Sequence, residues 1–214
     1  MSDIEIIVES EPRPYSRRGF IKGVIAAGAA VSSSSYLFRA PGASASTPFS
    51  TSSRGSVPRL ITLNVNGQSR PVDVLQQETL AMTLRYKLGL TGTKLGCDRA
   101  ECGSCTVLID GVPHYACSVL TQTVRGREVT TIEGLASSDD DLHPVQRAVL
   151  DEGGFQCAFC APGFILTMVA MVDANPNPTR EEAAQHLAGN LCRCGDYNKI
   201  LNSAMRAAEY TRRA

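Results

Sequence analysis

Between positions 59 and 134 the apolar residues follow first one period and then another. Leu60-Ile61-Thr62-Leu63-Asn64-Val65 alternates as a half-buried strand does. Asn66-Gly67 follows, the dipeptide that most strongly marks a two-residue hairpin turn, and Val72-Asp73-Val74 reads as the returning arm. From Thr79 to Leu88 the period lengthens: Leu80, Leu84 and Leu88 fall four apart, on one face of a predicted helix, with Thr79 placed to cap it. A glycine-dense loop runs from Gly89 to Cys105. Thr106 to Gly111 reads as a strand ending in a turn, and Glu128 to Ile132 as another strand. After Gly134 the pattern is helical, over 144–152, 161–173, 179–188 and 196–210. Pro144 and Pro162 sit at first-turn positions, Thr179 and Glu182 form a capping box, and Asn175-Pro176-Asn177-Pro178 separates two helices.

This order predicts an α+β fold: a β-grasp domain over 59–134, then an all-α four-helix bundle over 135–214. Residues 1–45 have a different character. Ser16-Arg17-Arg18-Gly19-Phe20-Ile21-Lys22 resembles a twin-arginine export motif. A mildly apolar run, Gly23 to Val31, is too short for a stable membrane anchor, and Ala43-Ser44-Ala45 has the form of a cleavage site. Residues 1–45 are therefore expected to be a signal peptide read by the twin-arginine translocase, which directs a folded protein to the periplasm. Residues 46–58, rich in Ser, Thr and Pro, are expected to be a linker.

Composition narrows the functional classes. Basic and acidic residues balance at 21 each, which gives no reason to expect nucleic acid as a partner. His114, His143 and His186 are the only histidines and are scattered, so a histidine metal site or acid–base centre has few candidates. The eight cysteines carry the chemistry. Cys97, Cys102, Cys105 and Cys117 are spaced C-x4-C-x2-C-x11-C, and Cys157, Cys160, Cys192 and Cys194 are spaced C-x2-C-x31-C-x-C. Four thiolates are the ligand count of a 2Fe–2S cluster, and C-x4-C-x2-C is the plant-type ferredoxin opening. Zinc favours paired C-x2-C motifs, and only one such pair fits. A disulfide framework suits an exported chain with an even cysteine count, but the Cys192/Cys194 and Cys102/Cys105 spacings do not favour it. Thiolate clusters need a reducing compartment for assembly, so export after folding agrees with the cysteine pattern.

Several motifs carry a family resemblance over about residues 59–210. They are Gly92-Thr93-Lys94-Leu95-Gly96-Cys97, Glu101-Cys102-Gly103-Ser104-Cys105-Thr106-Val107, Thr131-Ile132-Glu133-Gly134-Leu135, the run from Gly154 to Gly163, and Gly189-Asn190-Leu191-Cys192-Arg193-Cys194-Gly195. In these the chain resembles the iron–sulfur small subunit of the xanthine oxidase family of molybdenum hydroxylases, and within it the periplasmic aldehyde oxidoreductase branch. The resemblance implies a plant-ferredoxin-like first domain and two 2Fe–2S clusters, the Cys97 set facing FAD on a medium subunit. The Cys157 set would face a molybdenum pterin cofactor, in its cytosine dinucleotide form, on a large subunit of a heterotrimer. Gln156 and Cys157 would lie at the pterin edge. An N-heterocycle hydroxylase with the same subunit role and a free-standing two-cluster ferredoxin remain as alternatives. The chain departs from the family pattern at Ala100 and Ala158 (often Gly), Ser104 (often Ala), Ala161 (usually Thr) and Asp196 (usually Gly or Ala), without losing a ligand. Ala100 argues against a positive-φ turn at that position, since alanine there would cost about 1 kcal/mol.

Overall fold

A computed structural model describes residues 16–37, 58–136, 138 and 141–213. They fall in two units, one within residues 1–52 and one within 53–214. The first contributes helix α1 (Arg17–Leu37), which begins at the paired arginines. Ser16 caps it, its Oγ accepting the Gly19 N–H at 3.1 Å. No helix of the described residues is long and apolar enough to cross a membrane. The expected cleavage site and all but the last residue of the expected linker lie outside the described residues.

The second unit holds a five-stranded sheet in the order β2-β1-β5-β3-β4, made of β1 (Arg59–Val65), β2 (Gln68–Val74), β3 (Thr106–Ile109), β4 (Val112–Tyr115) and β5 (Glu128–Thr130). β1 and β5 run parallel and the other neighbours antiparallel. Asn66 and Gly67 both take positive φ, as the β1–β2 turn requires. Asp110 and Gly111 repeat that turn between β3 and β4. β4 itself has no alternating signal. It is an edge strand, the place in a sheet where Pro113 is tolerated.

Two sequence expectations are modified. The helix predicted from Thr79 begins under the Thr79 cap as α2 (Leu80–Met82) but widens into a π turn over Thr83–Lys87. This keeps Leu80 and Leu84 in the core and leaves Leu88 half-buried. It also brings Lys87 Nζ to 2.6 Å from the buried Glu78 carboxylate, which accepts the Thr83 hydroxyl as well. The last strand stops at Thr130, because Asn66 takes the next backbone position: its Oδ1 accepts the Thr131 N–H and its Nδ2 donates to Thr131 Oγ1. Ile132–Gly134 then forms a 3-10 turn.

The four predicted helices are α3 (Pro144–Asp151), α4 (Ala161–Ala174), α5 (Arg180–Leu187) and α6 (Tyr197–Arg213). The Thr179/Glu182 capping box forms at α5. α3 carries a second, unforeseen box, in which His143 Nδ1 accepts from the Val145 N–H while Gln146 reaches back to the His143 N–H. α4 is buried along nearly its whole length, at the centre of the bundle and against β3 and β4. β3 is buried on both faces. Val107 and Ile109 belong to the sheet core, while Leu108 points into the helical core with Phe164 and Met168.

Candidate iron–sulfur sites

The first cysteine set is organised by one loop. Asp98 and Ala100 adopt φ of 52° and 59°, which alternates the backbone so that successive N–H groups turn inward as an anion-binding nest. The Ala100 N–H points to Cys117 Sγ at 3.3 Å, and the Glu101 and Cys102 N–H groups point to Cys97 Sγ at 3.3 and 3.4 Å. Alanine at this position speaks against a positive-φ turn in the sequence, yet Ala100 adopts one, and its strain serves to aim donors at sulfur. Those donors, the Glu101 N–H foremost, bring the Cys97 thiol down to about 7. Burial dominates at Cys105 and pushes it up to about 12, helped by the neighbouring Cys117 and Cys102.

The second set comes from helix ends. Cys157 and Cys160 precede α4, and Cys192 and Cys194 lie between α5 and α6. The sequence suggests that the α4 N-terminus favours thiolate. At Cys160 burial outweighs it and, with Cys192 alongside, pushes the thiol up to about 12. Cys157 is exposed and is lowered, chiefly by the Phe159 N–H. Ala158 between them has φ of 57°, the second place where Ala occupies a glycine-like conformation.

All eight thiols are free, and within each set neighbouring thiols act on one another's acidity, foremost Cys97 with Cys102, Cys105 with Cys117, Cys157 with Cys194, and Cys160 with Cys192. Among the described residues, no group of three or more His, Cys, Asp and Glu is placed to hold a single metal ion. Two thiolate pairs fit a two-iron core, with one pair per iron, better than a lone tetrahedral zinc.

The two sets adjoin one another. A cavity of about 600 Å³ is lined by Cys97 and Cys102 from one and by Cys157, Cys160 and Cys192 from the other. Three hydrogen bonds join the loops: Tyr115 Oη to the Gly189 carbonyl at 2.7 Å, Asn190 Nδ2 to the Gly103 carbonyl at 3.0 Å, and the Leu191 N–H to the Cys102 carbonyl at 3.0 Å. Asn190 Oδ1 in turn accepts from Thr167 of α4 at 3.0 Å. Sequence reasoning assigns Asn190 and Tyr197 no role. A polar Asn two residues before Cys192 is the available signal for Asn190. The 131–135 motif also serves the first site, since Glu133 Oε1 accepts the Gly92 N–H at 2.7 Å and holds the start of the cysteine loop.

Comparison with known proteins agrees with this geometry. The 2Fe-2S iron-sulfur cluster binding domain family matches residues 63–131, and the 2Fe-2S binding domain family matches residues 131–205. These matches define a protein with two 2Fe–2S domains. One of the nicotinate dehydrogenase subunits of Pseudomonas putida is 44% identical over 153 residues, spanning 72% of this chain and 97% of that protein. The aldehyde oxidoreductase iron-sulfur-binding subunit PaoA of Escherichia coli K12 is 38% identical over 215 residues, spanning 92% and 91%. Among solved structures, quinoline 2-oxidoreductase from Pseudomonas putida 86 superposes with a TM-score of 0.70 at 37% identity, covering 74% of this chain and 99% of that one. The chain belongs to the iron–sulfur, electron-transfer subunits of the xanthine oxidase family of molybdenum hydroxylases.

Proposed function

We propose that Cys97, Cys102, Cys105 and Cys117 hold one 2Fe–2S cluster and Cys157, Cys160, Cys192 and Cys194 a second, in an electron-transfer domain 59–134 and a helical domain 135–214. In this reading the chain links a molybdenum pterin cofactor (cytosine dinucleotide form) on a large subunit to FAD on a medium subunit. The enzyme is a heterotrimeric, periplasmic, aldehyde-oxidising one. When bound, each cluster supplies a one-electron carrier. The protein's own residues do the rest. The 98–102 nest donates N–H groups to the first set, burial of Cys105, Cys117, Cys160 and Cys192 excludes water, and the 189–191 segment holds the two sites in one register. The exposed Gln156, Cys157 and Cys194 leave the second set accessible, which supports placing it, with Gln156 and Cys157, against the pterin edge.

The observation that carries the reading is that each 2Fe-2S family match spans one complete set of four cysteines, residues 63–131 the first and 131–205 the second. The aldehyde part is supported by the PaoA match, which spans 92% of this chain, and the export part by the Ser16–Lys22 sequence. The higher identity to a nicotinate dehydrogenase protein favours N-heterocycle hydroxylation as a second reading.

The test is purification of the complex from the native host, with metal analysis, EPR, and turnover of aldehydes against nicotinate. Two distinct 2Fe–2S signals with co-eluting flavin and molybdenum subunits, active on aldehydes, are expected. A monomer, a single cluster or zinc would overturn the assignment, and activity on nicotinate alone would select the second reading. Replacing Arg17 and Arg18 by Lys should leave the folded, coloured protein in the cytoplasm; its continued export would refute the targeting claim.

A further inference from the structure

Two consecutive residues at the start of α6 reach back to the second cysteine set. Asp196, immediately before α6, is only 8% exposed. Its two oxygens accept from one residue: Oδ2 takes the Gln156 backbone N–H at 3.2 Å, and Oδ1 takes Gln156 Nε2 at 2.8 Å. Both carboxylate oxygens of Asp196 thus act as acceptors. None of the ion pairs among the described residues involves it. Tyr197 follows, its Oη accepting the Cys192 N–H at 3.0 Å. The head of α6 therefore grips the residue before Cys157 with one side chain and Cys192 with the next.

This arrangement has two consequences. Because a carboxylate accepts and does not donate, it fixes the orientation of a primary amide. Gln156 Nε2 is committed inward and Oε1 is left for a donor outside, at a residue that is itself exposed. The carboxylate also places a negative charge, unpaired with any cation among the described residues, beside a site whose function is to accept an electron. Net charge and hydrogen bonding around the sulfurs are main levers on the potential of such a site. Adding an electron next to a fixed negative charge costs Coulomb energy, and partial burial weakens the screening.

We propose that Asp196 is a positioning residue that poises the second iron–sulfur site: by holding Gln156 it keeps a carboxylate charge against the Cys157 side of the site and makes that cluster harder to reduce. This inference rests on the proposed placement of a 2Fe–2S cluster at the Cys157 set.

The experiment is an EPR-monitored redox titration of the intact complex carrying wild-type chain, Asp196→Asn or Asp196→Glu. In wild type, two 2Fe–2S signals must be present; their absence would refute the underlying reading rather than this one. In Asp196→Asn the reduction equilibrium of the second cluster should shift about three- to tenfold toward the reduced form. The first cluster should stay within about twofold of wild type, and in Asp196→Glu both should. An unmoved second cluster in Asp196→Asn, an equal shift of both clusters, or the same shift in Asp196→Glu would overturn the proposal. So would failure of either variant to load the second cluster, since Asp196 would then be only a structural tie.

Discussion

The two cysteine sets offer the same donors in two kinds of scaffold. The first is written into a single loop, where three of its four cysteines lie within nine consecutive residues and positive-φ turns aim N–H groups at the sulfurs. The second has no such loop. Its cysteines come from two segments brought together by the packing of α4, α5 and α6, and its ties are side chains at the head of α6, Asp196 and Tyr197. One site depends on local backbone conformation and the other on tertiary assembly. The second is also leaned on the first, because segment 189–191 is bonded to Cys102, Gly103 and Tyr115. Damage to the junction should therefore reach the second site before the first.

The largest expected effect tests that dependence. A Cβ on Gly163 of α4 would overlap the Gly103 carbonyl oxygen, a backbone atom between two first-set cysteines that cannot simply turn away. Gly163→Ala should cost on the order of 3 kcal/mol in chemical denaturation, with the second 2Fe–2S signal weakened more than the first. Asn190→Ala removes two buried hydrogen bonds, to the Gly103 carbonyl and from the Thr167 hydroxyl. Thr106 and the Gly163 carbonyl still partner those groups; the loss should cost about 2 kcal/mol, again mainly at the expense of the second site. Loss of the first signal alone in either variant would break the comparison.

The same contrast governs what could be read from the sequence. Local codes were legible: the Asn66-Gly67 turn, the Thr79 cap, the Thr179/Glu182 box and the four helices all depend on a few adjacent residues. So were the cysteine sets, whose spacing reflects a loop and two helix ends. Features arising from distant partners were not legible. The π turn at Thr83–Lys87 accompanies the contacts of Lys87 and Thr83 with the buried Glu78. β4 is a strand because it pairs with β3, not because its side chains alternate. The roles of Asn190 and Asp196 exist only after α4 and α6 have packed. Cys160 shows the limit of a local electrostatic rule, since its place before α4 suggested a stabilised thiolate and burial reversed the sign.

The two halves should also differ in acid. The His143 imidazole is held below its usual 6.5 by burial, against the opposing charge of Asp173, and it serves α3 as an acceptor. Its folded value is depressed, so its contribution is complete above about 6.5 and is lost as pH falls through the lower folded value. Protonation at Nδ1 removes the cap. In the sheet half, the Glu78 carboxyl is raised by burial but more than offset by Lys87, Thr83 and the Leu75 N–H, and so lies below its usual 4.5. Its contribution is complete above that value and fades only at lower pH. Hydrogen exchange read segment by segment should show α3 loosening as pH drops below about 6.5, while β1, β2 and the 80–87 turn stay protected until below about 4.5. His143→Asn, which keeps a neutral cap, should remove the first step only. Loosening of both halves at one pH would contradict the assignment.

The smallest effect separates the two glycine-like alanines. A non-glycine residue in the left-handed region costs about 1–2 kcal/mol, while glycine loses about 0.5–1 kcal/mol more chain entropy on folding. Substitution by glycine should therefore be mildly stabilising where the methyl makes no contacts. Ala158 is exposed, so Ala158→Gly should gain up to about 1 kcal/mol. Ala100 packs its methyl against the sheet core beside the nest, and losing that contact cancels most of the gain, so Ala100→Gly should fall within about 0.5 kcal/mol of wild type. Thermal melts of the loaded protein would rank the two. If Ala100→Gly proved the more stabilising, strain rather than packing would dominate the first loop, and the local scaffold would be the more strained of the two.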